Sequence, residues 1–216
     1  MRQAVIPMPD RRQLILGASA VLLANCGGIQ LLPKPMTPQL YVLRPQLRPP
    51  MGAPVRWRLA VGAPDAPASL DTERIALTRS ATTMDYFANA AWNDRAPLLI
   101  QRLLVQAFEE SGRIMAVSRD TAATENDYLL QTDIRDFEAR YETPEGAPQI
   151  MVAIQARLAR MPQREIVASL NATQQAQAAS NNLDSIVLAF NQASAAALAQ
   201  IVTWALAAPA PPPSPP

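Results

Sequence analysis

The chain has 216 residues, 49% of them hydrophobic but only 5% aromatic, which suits one domain with a mostly aliphatic core, a leader and tails. A formal charge of +1 with no basic patch leaves no electrostatic footprint for nucleic acid. With no histidine and one cysteine, Cys26, the chain excludes Ser-His and Cys-His nucleophilic sites, His-metal centres, intrachain disulfides and thiolate metal clusters.

Residues 1–26 read as a signal peptide. Arg11 and Arg12 precede an eleven-residue apolar run, Leu14 to Ala24. A membrane span needs about 20 such residues, so the run is expected to be removed rather than retained. The arginine pair fits twin-arginine export, and general secretion fits as well. Leu23-Ala24-Asn25-Cys26 resembles the lipobox of bacterial lipoproteins, with Asn25 where Gly, Ala or Ser is usual. The resemblance implies diacylglycerol on Cys26 and fatty acyl (palmitate-type) modification. Each buried methylene contributes roughly 0.8 kcal/mol to anchoring. Gly27, in place of the aspartate that often retains lipoproteins at the inner membrane, points to the outer membrane.

Residues 27–39, with Gly27, Gly28, Pro33, Pro35 and Pro38, form a flexible tether. A domain over 40–207 follows. Its expected early strands are Tyr41-Val42-Leu43, Trp57 to Val61, Arg74 to Thr78 and, less regularly, Met84 to Phe87. A helix opens at Asp94-Arg95-Ala96-Pro97, with Asp94 as its cap and Pro97 in the first turn. Ile100, Leu103, Leu104, Ala107 and Phe108 share one face, and Gly112 ends the helix.

Tyr128 to Arg135 alternate as a strand. Ile150, Val152, Ile154, Ala156 and Leu158 face one way on the next. After a turn at Met161-Pro162-Gln163-Arg164, the alternation continues through Ile166, Ala168, Leu170 and Ala172 as an antiparallel hairpin. A final helix follows Asn181-Asn182. Its apolar stripe runs Leu183, Ile186, Val187, Phe190, Ala197, Leu198, Ile201 and Ala205, with Asn, Gln and Ser opposite. Residues 208–216 make a proline-rich, disordered tail. The expected fold is α+β, a single-domain sandwich with two main helices on a mostly antiparallel sheet.

Trp92, Asp94 and Arg95 form a candidate partner contact, because Trp and Arg are enriched among interface hot spots. The competing role is a helix entry whose Trp covers the core. Asp133, Asp136 and Glu138 lie within six residues, yet a regular strand would turn Asp133 away from the other two. A solvated strand end partly neutralised by Arg135 and Arg140 is therefore expected there, not catalysis or a metal site. Gly27-Gly28 precede no strand-loop-helix unit, so no phosphate loop is present.

The order of lipobox, Tyr41-Val42-Leu43, Trp92-Asn93-Asp94-Arg95-Ala96-Pro97, Ser111-Gly112 and Asp127-Tyr128-Leu129-Leu130, closed by a helix with Trp204 near its end, is similar to the ABC-type transport auxiliary lipoproteins. That family includes the C component of the paraquat-inducible system. The resemblance covers roughly residues 23–207. It implies a non-catalytic lipoprotein on the periplasmic face of the outer membrane, without cofactor or metal. Its partners would be a permease, an ATPase and an MCE-type substrate-binding protein that move lipids between the two membranes. An envelope structural adaptor unconnected with transport is the alternative; a carboxylate-dependent hydrolase is a third class.

Overall fold

In the computed structural model, which describes residues 37–48, 51–119 and 125–210, an eight-stranded sheet carries two helices. The order is β1 (Gln39–Tyr41), β2 (Arg58–Val61), β3 (Arg74–Ser80), β4 (Thr83–Trp92), α1 (Ala96–Ser111), β5 (Ala116–Arg119), β6 (Tyr128–Arg140), β7 (Gln149–Arg160), β8 (Glu165–Gln177) and α2 (Leu183–Leu206). The expected leader 1–26 with Cys26, the expected tether through residue 36 and residues 211–216 lie outside the described residues. Thr37 onward belongs to one compact unit.

The α+β class and the two helices agree with expectation, but the sheet is not mostly antiparallel. Of seven strand pairings among the described residues, four are parallel: β1–β4, β2–β5, β2–β6 and β3–β6. The three antiparallel pairings include the long ladders β6–β7 and β7–β8. Along one edge β6 meets β7; along the other it meets β2 at Tyr128–Leu130 and β3 at Glu138–Arg140. Parallel pairing joins stretches remote in the chain, such as Leu59 with Tyr128, so no local hairpin signal records it. A trace survives in composition: Leu59-Ala60-Val61 and Ile75-Ala76-Leu77 are buried on both faces rather than alternating. β5 carries no strong strand pattern, and only its pairing with β2 makes it a strand.

Two irregularities reset the side-chain faces. On β6, Ile134 pairs with Ile154 and Asp136 with Ala153, leaving Arg135 as an extra residue in a bulge. On the hairpin, the register shifts between Leu158 and Ala159, so Ile166, expected on the inward face, is nearly half exposed. Asn89 holds a left-handed φ of 55° where the β3–β4 register jumps, a conformation Asn tolerates better than most residues.

Asp94 is not the cap of α1. The N-cap is Arg95, without a side-chain cap bond, and Asp94 Oδ1 accepts from the Arg95 N–H instead. Asp94 lies one position too early for its short side chain to reach the first-turn amides. Pro97 does stand in the first turn, and Gly112 ends the helix with φ 60°. Asn182 caps α2 by accepting from the Ser185 N–H at 2.9 Å. The expected stripe of α2 is buried except for the half-buried Leu183. Ser194, expected on the polar side, is fully buried, because the stripe widens through Ala189, Ala193 and Val202.

α2 packs on β7 and β8, and α1 on α2, β2 and β5. The inward residues of β6 and β7 join both helices in one core. Its centre is aromatic despite the low aromatic content. Trp92, Phe137 and Phe190 lie 5.0–5.8 Å apart by ring centroid, and Trp57 meets Tyr128 edge-on at 5.1 Å. Tyr128 Oη also donates to the Pro209 carbonyl at 2.9 Å, so the expected disordered tail is held at its start.

Candidate functional site

The three residues expected at a partner contact separate. Trp92 ends β4 with its ring turned inward, 5.1 Å from Phe190, and is only 1% exposed. It offers no surface to a partner in this structure, and the core-covering role is the one its position serves. Asp94 and Arg95 remain at the surface. Arg95 pairs with Asp71, and Arg102 Nη1 lies 3.5 Å from Asp94 Oδ2. Half-exposed pairs of this kind contribute about 0–1 kcal/mol to folding. A partner could therefore rearrange them at little cost.

The carboxylates Asp133, Asp136 and Glu138 meet on one face, contrary to the expected separation. Ile134 and Phe137 both point into the core, so the extra residue Arg135 restores Asp133 to the side of Asp136 and Glu138. Arg140 binds Asp136 at 2.6 Å and Glu138 at 2.7 Å, and Arg135 binds Asp133 at 2.9 Å. The Glu138 bond, opposed by partial burial and reinforced by the charge of Asp136, holds the Arg140 guanidinium even more firmly protonated than usual. Glu138 is 4% exposed. Arg140 thus compensates its charge as a structural clasp across the strand end. Among the described residues no three His, Cys, Asp or Glu side chains converge as metal ligands.

A feature that the strand pattern only hinted at lies beside α2. From Leu40 to Arg48 exposure alternates: Tyr41, Leu43, Pro45 and Leu47 are buried or half-buried, while Leu40, Val42, Arg44, Gln46 and Arg48 are exposed. Only the start of this segment pairs as β1. The rest runs along α2, with the Arg44 N–H donating to Asn191 Oδ1 at 2.7 Å. A depression of about 500 Å³ opens between the two. The signal in sequence was the period of two across Tyr41 to Leu47, which Pro45 obscures.

Residues 40–202 match the family model described as ABC-type transport auxiliary lipoprotein component. Protein XCC0632 from Xanthomonas campestris has a similar structure, with a TM-score of 0.73 and 28% identity, covering 78% of this chain and 94% of that one. A second crystal structure, described only as an uncharacterized protein, gives a TM-score of 0.61 at 15% identity over 78% of this chain and 99% of the other, a likeness of fold alone. The protein bll6063 of Bradyrhizobium diazoefficiens is 28% identical over 174 residues, 78% of this chain. This chain spans about half of that relative's length, 45%.

Proposed function

The chain belongs to the family of ABC-type transport auxiliary lipoprotein components, and on that premise we propose that it is a non-catalytic accessory of an ABC transporter that moves lipids between the inner and outer membranes. A lipid on Cys26 holds it at the periplasmic face of the outer membrane, after export by either the general or the twin-arginine route. The observation that carries this is the extent of the family match, which spans the sheet and nearly all of α2. The absence of histidine from the whole sequence supports a binding role over catalysis. The partner is an MCE-type substrate-binding protein, standing with a permease and an ATPase, and Asp94 and Arg95 are its contact on this chain.

Co-purification tests the partnership. Tagged protein from detergent-solubilised membranes should bring down an MCE protein, and Arg95→Glu should weaken that capture severalfold. Capture of no transporter component would defeat the transport reading and favour an envelope adaptor. Mass analysis of the mature amino terminus tests the anchor: a chain starting anywhere but at an acylated Cys26 refutes it.

A further inference from the structure

The segment after β1 and the outer flank of α2 form a continuous surface of mixed character. Arg44 and Arg48 are the charged residues lining its depression, and Leu188, Ala195, Ala196 and Ala199 supply the apolar floor. Neither guanidinium makes an ion pair or a hydrogen bond among the described residues. Leu188 is 63% exposed, and the outward side chains Leu40, on β1, and Val42, just past it, are 60% and 41% exposed. The carboxylate of Asp184 lies one helical turn before Leu188, beside Tyr41, and is not part of the depression's lining.

We propose that this surface docks on an anionic phospholipid bilayer, as a second membrane contact additional to the lipid on Cys26; it rests on the lipid-anchor reading. The choice of occupant follows from chemistry. Arginine can lay its methylenes on apolar surface while its guanidinium head reaches phosphate in a bidentate grip. Exposed leucine and valine beside two such cations make the combination that lies in a headgroup region, where apolar burial and attraction to anionic lipid act together. The charge in the depression is of one sign, which an anionic surface complements. Placement agrees: Cys26 stands eleven positions before Thr37, so the acylated residue enters the chain close to this face in sequence.

The test uses the full acylated chain with an environment-sensitive dye on Leu188→Cys, in vesicles of phosphatidylethanolamine and phosphatidylcholine with or without about 30% phosphatidylglycerol. Cys26 is the chain's own cysteine, and mass analysis of the same sample shows whether it is acylated. An unacylated sample defeats the anchor reading, whereas an acylated one puts the docking itself on trial. The emission should shift blue in the phosphatidylglycerol vesicles and far less in the neutral ones. A control dye on Asn171→Cys of β8 should stay unshifted. Since each arginine near such a surface shifts the equilibrium roughly fivefold, Arg44→Glu with Arg48→Glu should lower the docking equilibrium constant at least tenfold. Identical emission in both vesicles, indifference to the arginine changes, or a shift that appears only when an acidic protein partner is added would overturn the proposal.

Discussion

The two faces of β6 obey opposite rules although the same thirteen residues supply both. The inward face, with Tyr128, Leu130, Ile134, Phe137 and Ala139, is buried and, apart from Thr132, apolar. The outward face collects Gln131, Asp133, Asp136, Glu138 and Arg140; Arg140 pairs with Asp136 and Glu138, and the bulge residue Arg135 pairs with Asp133. The inward face holds the domain together by apolar burial and tight packing. The outward face contributes by cancelling charges that the fold brings close, so its value depends on complete pairing. The single extra residue at Arg135 keeps the two sets apart past mid-strand.

Substitutions should rank accordingly. Phe137→Ala removes the ring that contacts both Trp92 and Phe190, and should cost about 3–5 kcal/mol in denaturant unfolding. A cost below about 1 kcal/mol would mean that the aromatic centre is not where stability resides. On the other face, Arg140→Met strands the buried Glu138 carboxylate and should cost about 1–3 kcal/mol. Adding Glu138→Gln should recover part of the loss, and simple additivity of the two changes would deny the clasp.

Tyr141, just past the strand, gives a smaller and pH-dependent effect. Burial raises its phenol above the ordinary value, against a lowering influence from Arg79, and its hydroxyl donates to Asn181 Oδ1 at 2.8 Å. The folded state therefore holds the proton more tightly than the unfolded state. The resulting stability is complete below the ordinary tyrosine value of 10.0 and is lost as pH rises through the folded one. Tyr141→Phe should cost about 0.5–1.5 kcal/mol at neutral pH through the lost hydrogen bond. Its gap from the parent should narrow in alkaline unfolding curves, and a constant gap would contradict the shift. Smallest of all, Asp133→Ala removes a partly exposed pair with Arg135 and should cost less than about 1 kcal/mol, less still in high salt.

Much of this organisation was legible residue by residue. The hairpin of β7 and β8 follows from alternation at Ile150 to Leu158, and α2 from its stripe and the asparagine before it. Legibility failed where a residue's fate depends on its neighbours in space. Trp92 beside Asp94 and Arg95 reads as one polar-aromatic patch, yet β4 turns the ring into the core and leaves the charges outside. Asp133 reads as facing away from Asp136, because a bulge is a property of a pair of strands and alternation in one strand cannot reveal it. The flank at Arg44 and Arg48 was hidden because it exists only where an unpaired segment meets a helix about 150 positions away.

By itself, the amino-acid sequence determined the kinds of chemistry open to this protein and the identity of most of its elements. Missing side chains cannot be supplied by folding, and periodicities of two and 3.6 arise from local backbone geometry. Tertiary structure alone decided which strands lie parallel, which face each carboxylate occupies and which of three adjacent candidates reaches solvent. Those outcomes depend on contacts between remote segments, whose energies become available only once the chain has closed on itself.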